Sequence, residues 1–298
     1  MPVIGFLYLG SERSIQPSID AFRSGLVALG YKEGENVQVL YRFAEGSVER
    51  LSNLAVELVS IGAKIIVTGG TTSIQAIHQA VPNVAIVSMA SGDPVLMGWA
   101  QTLARPGGMI TGLFLFASTV ARPVELLKEV RPLATTFGYL FHPANPGNPH
   151  FRSIVDDAAG ALGIKVEIIE VKEQSELAGA FNRMASVGAE GLAIITDPVL
   201  GSNLAAIVEL SRLHKLPSVG LYGDFVDTGG LLALAPDYLA MAKRSAWFVD
   251  RILKGAAPGD LPAEQHTDFK LFVNLKTAKE LGITIPATIL ARADGIVE

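Results

Sequence analysis

Two long stretches of this chain read alike. Gly5-Phe6-Leu7-Tyr8 is echoed by Gly138-Tyr139-Leu140-Phe141, and Ala28-Leu29-Gly30-Tyr31 by Ala161-Leu162-Gly163-Ile164, at one offset of 133 residues. Farther on, Ile61-Gly62-Ala63-Lys64-Ile65-Ile66-Val67 is answered by Val187-Gly188-Ala189-Glu190-Gly191-Leu192-Ala193. There the offset from Gly62 to Gly188 has fallen to 126, as one connection shortens. A repeat of this length holds a whole sheet with its helices, so it predicts two similar lobes and not a solenoid. At 298 residues the chain has room for a core in each. Two such lobes meet across a crevice, a common place for a small ligand.

The periodicity agrees. In the first half, apolar runs at Val3–Tyr8, Val37–Tyr41, Ile65–Thr68 and Val84–Ser88 read as buried strands. Between them lie helix-period segments: residues 16–29 with Ile19, Phe22, Leu26 and Leu29 on one face, and a second helix capped by Ser47 with Leu51, Leu54, Leu58 and Ile61. A third helix is expected over Thr72–Ala80 and a fourth after Asp93-Pro94. The second half predicts strands near 136–141, 165–170, 191–195 and 217–220, with helices between. Strand–helix alternation of this kind argues for doubly wound parallel sheets, an α/β fold. Met109–Leu115 and Leu231–Leu234 read as extended crossings, Tyr238 to about Lys254 as a helix, Phe269–Val273 as a late strand and Lys276–Leu281 as a short helix. The expected division is 1–112 plus 238–262 against 113–237 plus 263–298, with the crossings forming a multi-strand hinge.

Composition removes several function classes. A net charge of -5 with scattered Lys and Arg offers no footprint for nucleic acid. Without cysteine there is no disulfide, thiolate metal site, cysteine nucleophile or lipid-anchoring cysteine. The five histidines, His78, His142, His150, His214 and His266, are dispersed, so no metal or other cofactor is expected, and His142 stands alone after its strand. No Gly-x-Ser-x-Gly elbow or nucleophile–base pair supports an enzyme. No apolar run is long enough to span a membrane. A strand beginning at Val3 leaves no secretory leader ahead of it, so the protein is either cytoplasmic or exported with its leader removed.

In open parallel sheets, ligands bind beyond the carboxyl ends of the strands. The residues at those positions are Tyr8, Gly10 and Ser11; Gly69, Gly70, Thr71, Thr72 and Ser73; Ser91, Gly92 and Asp93; His142 to Asn145; Asp197-Pro198; and Tyr222, Gly223 and Asp224. Gly69 to Ser73 is the most readable. Glycines let a ligand approach, and a helix start offers amides and hydroxyls to a carboxylate. Equally, Thr71 or Thr72 caps that helix. It is neither a nucleotide-hydrolase phosphate loop nor a dinucleotide fingerprint. At the offset of 126, Thr71 falls opposite Asp197. Asp197 either caps a helix opened by Pro198 or accepts from a ligand ammonium, and both roles are compatible. For Asp93, before Pro94, the cap is favoured. Tyr8 and Tyr222 either wall the crevice or close the core edge. Trp99 and Trp247 are read as packing internally on amphipathic helices.

Several phrases, in order along nearly the whole chain, carry a resemblance. They are Tyr41-Arg42-Phe43-Ala44-Glu45-Gly46, Gly92-Asp93-Pro94-Val95, Leu103-Ala104-Arg105-Pro106-Gly107-Gly108, Asn145-Pro146, Asp197-Pro198, Phe225-Val226-Asp227-Thr228-Gly229-Gly230-Leu231 and Asn274-Leu275-Lys276-Thr277-Ala278. The chain resembles ABC-transporter substrate-binding proteins related to the tryptophan/tyrosine-binding group, with a type I periplasmic binding protein fold. The resemblance implies a periplasmic or extracytoplasmic receptor, a monomer without cofactor, that closes on an aromatic amino acid or related small carboxylate and delivers it to an ABC permease. It implies that Thr71, Thr72 and Ser91 hold the carboxylate and that Asp197, with Asn145 nearby, holds the amine. The residues alone leave a second class open, a cytoplasmic effector-sensing module. A leader or a regulatory domain upstream of Met1 would separate the two.

Overall fold

The computed structural model describes residues 1–298, which divide into two compact units, Met1–Phe116 with Tyr238–Thr267, and Ala117–Asp237 with Asp268–Glu298. Unit one begins with β1 (Val3–Tyr8), α1 (Glu12–Ala28), β2 (Gln38–Phe43), α2 (Val48–Ser60), β3 (Ala63–Thr68), α3 (Thr71–Ala80), β4 (Ala85–Ser88) and β5 (Ile110–Leu115). Unit two takes α4 (Arg122–Val130), β6 (Thr136–Phe141), α5 (Asn148–Leu162), β7 (Lys165–Glu170), α6 (Leu177–Ser186), β8 (Leu192–Ile194), α7 (Pro198–Ser202), α8 (Leu204–Leu213), β9 (Ser218–Gly220) and β10 (Leu232–Pro236). The chain then returns to unit one for α9 (Tyr238–Leu253) and β11 (Ala263–His266). It finishes in unit two with β12 (Phe269–Asn274), α10 (Leu275–Leu281), α11 (Ala287–Leu290) and β13 (Gly295–Val297).

The repeat is a repeat of topology. Unit one's sheet runs β11-β5-β4-β3-β1-β2, and unit two's runs β13-β12-β10-β9-β8-β6-β7. From the β2 and β7 edges inward, the first five strands follow one order in both, and all of them pair in parallel. Only the β10–β12 pairing is antiparallel. In unit one, α1 packs with α9 and α2 with α3, which covers both faces of the sheet. Accordingly β1 is buried from Ile4 to Tyr8 without alternation.

The echoed glycines have a packing reason. A Cβ on Gly5 would come within 2.9 Å of the Leu58 side chain on α2, and a Cβ on Gly138 within 3.0 Å of Met184 on α6. Each absent side chain lets the equivalent helix settle on its sheet. Gly25 does the same where α1 crosses α9, since a Cβ there would lie 2.4 Å from the Lys243 carbonyl. Each unit has its own core. Phe6, Phe22, Ile65, Val87 and Phe248 belong to the first, and Phe137, Tyr139, Phe141, Phe181 and Phe225 to the second. Burying one such side chain contributes about 1.5–3 kcal/mol. Tyr139 is fully buried, donates its hydroxyl to the Val120 carbonyl at 2.8 Å, and has its pKa driven well upward by desolvation.

Four expectations need correcting. First, α1 starts at Glu12, a turn before residue 16. The Ser11 hydroxyl accepts from the Ser14 amide, and Ser14 returns a bond to the Ser11 carbonyl, so Pro17 sits inside the helix. Second, no helix follows Asp93-Pro94. The segment is a chain of turns, in which Met97 donates to the Asp93 carbonyl, Gly98 turns left-handed, and Trp99 then donates to the Pro94 carbonyl. Trp99 is therefore not on a helix, though it is buried, with its indole N–H on Gln75 at 2.9 Å. Third, the stretches read as crossings are full strands, β5 paired with β4 and β11, and β10 paired with β9 and β12. Unit one consequently keeps residues 113–116 and 263–267. Fourth, the structure adds two strands without an apolar run, β11 and β13. No helix of the chain is long and apolar enough to cross a membrane.

Candidate functional site

In unit one the loops after β3 and β4 are tied together. Gly70 donates to the Ala90 carbonyl at 2.8 Å, and the Gly92 amide donates to the Thr71 hydroxyl at 3.0 Å. Ser88 donates to the Leu113 carbonyl at 2.8 Å and lies 3.1 Å from the Ser91 hydroxyl. Leu115 in turn donates to the Ser91 carbonyl. Thr71, Gly70 and Ser91 are thus brought together on neighbouring strand ends.

The start of α3 is unlike an ordinary capped helix. Its N-cap is Gly70, at φ 91°, a left-handed conformation that a side chain at this position would strain. No side chain caps the first turn, so the capping reading of Thr71 and Thr72 does not hold. The hydroxyls of Thr72 and Ser73 are buried and have no partner. A buried hydroxyl without a partner costs free energy in the empty protein. Together, uncapped first-turn amides and idle hydroxyls form a donor array suited to a small anion.

The remaining unit-one candidates are more committed. Asp93 Oδ1 accepts from the amides of Val95 and Leu96, and Oδ2 accepts from the Gln265 side chain on β11 at 2.9 Å, so its carboxylate is built into the turn. Ser11 is the N-cap of α1, next to the buried Gly10. Tyr8 closes β1, packs in the unit-one core, and accepts at its carbonyl from the Ala44 amide.

In unit two the loops after β6, β8 and β9 converge. Asp197 is 1% exposed and caps α7, its Oδ1 accepting from the Val199 amide at 2.8 Å. Tyr222 threads its hydroxyl into the same loop. It accepts from the Asp197 amide at 2.8 Å and lies 3.0 Å from the Ile195 carbonyl. The N-cap reading holds, and it engages Oδ1. Oδ2 faces the imidazole of His142, 3.7 Å from Nδ1.

His142 is therefore not isolated, contrary to the reading of it as standing alone. Its side chain is 2% exposed, its Nδ1 has no hydrogen-bond partner, and its carbonyl anchors the following loop. That carbonyl accepts from the Asn145 amide at 3.1 Å and from the Asn148 side chain at 2.9 Å. Asn145 Oδ1 accepts from the Gly147 amide, while the buried Oδ1 of Asn148 has no partner. Sequence reasoning placed His142 at a strand end without a neighbour and did not reach Asn148. The available signal was the repeat itself, since it makes β6 and β8 sheet neighbours whose following loops must meet.

Comparison with known proteins follows the same lines. Residues 6–297 match the family described as ABC transporter substrate binding protein. The chain is 23% identical to the tyrosine-binding protein of Clostridioides difficile, over 89% of this chain and 77% of that one. It superposes with a TM-score of 0.90 on an ABC domain in complex with L-Trp from Streptococcus pneumonia, at 26% identity and 99% coverage of both chains. A conserved domain protein from Vibrio cholerae gives a TM-score of 0.92, with the same identity and coverage. The two parallel-sheet lobes are those of type I periplasmic binding proteins. Matched almost end to end, the chain belongs to the ABC transporter substrate binding protein family, whose members in general act outside the cytoplasm, bind small ligands, work with ABC permeases and are not enzymes.

Proposed function

We propose that this protein is the monomeric receptor of an ABC importer and captures an amino acid, foremost an aromatic one, by hinge closure of its two units. The carrying observation is the start of α3, a glycine-capped helix with buried, unpartnered hydroxyls at Thr72 and Ser73. Such a donor array favours a carboxylate. On this reading Gly70, Thr71, Thr72 and Ser91 take the carboxylate. Asp197, whose amide Tyr222 holds, takes the ammonium, with Asn145 contributing from the loop after β6. Tyr8 offers an aromatic wall, and Gly10, Ser11 and Asp93 shape the neighbouring loops. The choice of an aromatic amino acid is supported by relatives named for tyrosine binding and for a complex with L-Trp. Closure follows because a ligand held by both units binds the closed state more tightly than the open one.

The test separates charge from folding. Asp197→Asn keeps an oxygen for the Val199 amide, and Asn is a good N-cap. Isothermal titration with L-tryptophan and L-tyrosine should show one-to-one binding by the native protein. The substitution should weaken it by about 1.5–3 kcal/mol, the scale of a charged hydrogen bond, without lowering the melting temperature. An unchanged dissociation constant would remove Asp197 from the site. Native mass spectrometry that finds a co-purified molecule without a carboxylate would overturn the assignment of α3.

A further inference from the structure

Tyr222 stands in the loop after β9 and Asp197 in the loop after β8, two neighbouring strands of the unit-two sheet. The tyrosine hydroxyl accepts from the Asp197 amide at 2.8 Å. Its own proton has two carbonyls within reach, Asp197 at 2.8 Å and Ile195 at 3.0 Å. The Asp197 carbonyl also accepts from the Gly201 amide at 2.8 Å, a bond of the first turn of α7. On the side chain, Oδ1 accepts from the Val199 amide at 2.8 Å. The amide, the carbonyl and one carboxylate oxygen of Asp197 are thus all held, and Tyr222 reaches both backbone groups from outside the helix. These bonds keep the residue extended, at φ -150° and ψ 139°, and so set the direction in which its side chain leaves the backbone. Gly201 explains how the ring reaches its place. It lies inside α7, where glycine is less favourable than alanine. A Cβ there would stand 3.0 Å from Tyr222 Cε1, tighter than an ordinary contact, so the missing methyl leaves the space that the ring takes.

We propose that Tyr222 and Gly201 are positioning residues: Tyr222 aims the Asp197 carboxylate at the ligand's ammonium, and Gly201 gives the ring room to do so. This deepens the amino-acid reading and rests on it. A charge-assisted hydrogen bond depends on direction as well as distance, so a carboxylate that swings loses grip while keeping its charge. The tyrosine hydroxyl works on the backbone of the loop and serves the ligand only through Asp197.

The experiment is a double-mutant cycle read by titration calorimetry with L-tryptophan. It uses the native protein, Tyr222→Phe, Gly201→Ala, Asp197→Asn, and the two double variants that join each of the first two to Asp197→Asn. Phenylalanine keeps the ring and removes only the hydroxyl. Tyr222→Phe should lower affinity by about tenfold, the scale of one buried hydrogen bond, and Gly201→Ala should lower it less. In the Asp197→Asn background each should change affinity by less than about twofold, because no charged contact is left to aim. A tyrosine that only packs, or that touches the ligand itself, would cost the same in both backgrounds. Such equal losses overturn the proposal while the amino-acid reading stands, and so does an unchanged affinity in Tyr222→Phe. A native protein that does not bind L-tryptophan, or an Asp197→Asn variant that binds it as the native protein does, overturns the reading and the proposal together. If Tyr222→Phe does not fold, the Gly201→Ala cycle decides: a loss that vanishes with Asp197→Asn supports the proposal, and one that persists, or no loss at all, overturns it.

Discussion

Gly5 and Gly138 stand at one place in two copies of a sheet, yet a methyl added at each would meet different neighbours. On Gly5 the neighbour is the branched Leu58 side chain at 2.9 Å, and on Gly138 it is the Met184 thioether chain at 3.0 Å. Both neighbours are fully buried, but Leu58 is branched, whereas an unbranched Met can redirect its chain at smaller cost. Gly5→Ala should therefore destabilise the protein by about 1–3 kcal/mol, and Gly138→Ala by clearly less, as read from urea unfolding. Equal losses would show that stiffness of the neighbour does not matter. The same scale explains what could be read of the site in advance. Thr71 and Asp197 each follow an apolar strand directly, and the repeat registers them on one another, so both were visible as candidates. His142 carries no local signal, because its meaning comes from Asp197, which is distant in sequence and close in space. Asp93 does not cap the helix expected of it, but its carboxylate holds the Val95 and Leu96 amides of a turn in the way an N-cap would.

At the scale of elements, α3 holds an internal conflict that a substitution can expose. Thr72 is 2% exposed and its hydroxyl has no partner. Valine has the same shape without the oxygen. Thr72→Val should stabilise the empty protein by about 1 kcal/mol, the lower end of the cost of an unpaired buried hydroxyl, and at the same time weaken carboxylate ligands. Thermal melts with and without L-tryptophan check both signs, and a destabilised empty protein would mean that the hydroxyl is satisfied and not reserved for a ligand. On the proposed function, ligand binding and stability oppose one another at this helix, as they commonly do at binding sites. Legibility also varies by element. β1 and β6 are buried on both faces, so their apolar runs were plain. β11 reads Ala263-Glu264-Gln265-His266, with no apolar run, and is a strand only because β5 offers it an edge. β13, three residues long, depends in the same way on β12. The turns after Asp93 have a helix-like start, but Gly98 and the bond from the Ala100 amide back to the Pro94 carbonyl end them within two turns.

For the whole molecule, the proposed function divides the recognition of one ligand between two units that have separate cores. On that proposal unit one offers the donors at Thr71, Thr72 and Ser73, and unit two offers the carboxylate of Asp197. If one dipolar ligand answers both, its binding energy must appear in both units. At a free ligand concentration of 100 times the dissociation constant, mass action stabilises the bound state by about 2.7 kcal/mol. Any local opening that releases the ligand becomes rarer by about 100-fold, whichever unit opens. Hydrogen exchange read by mass spectrometry should therefore slow in two segments during one L-tryptophan titration, Gly70–Ser73 and the stretch from Thr196 to Val199. The two midpoints should coincide. In Asp197→Asn both should move together to higher ligand concentration, because losing the ammonium contact weakens a single shared event. Protection confined to Gly70–Ser73 would mean that the carboxylate site binds alone, and closure of the two units would then have no ligand to drive it.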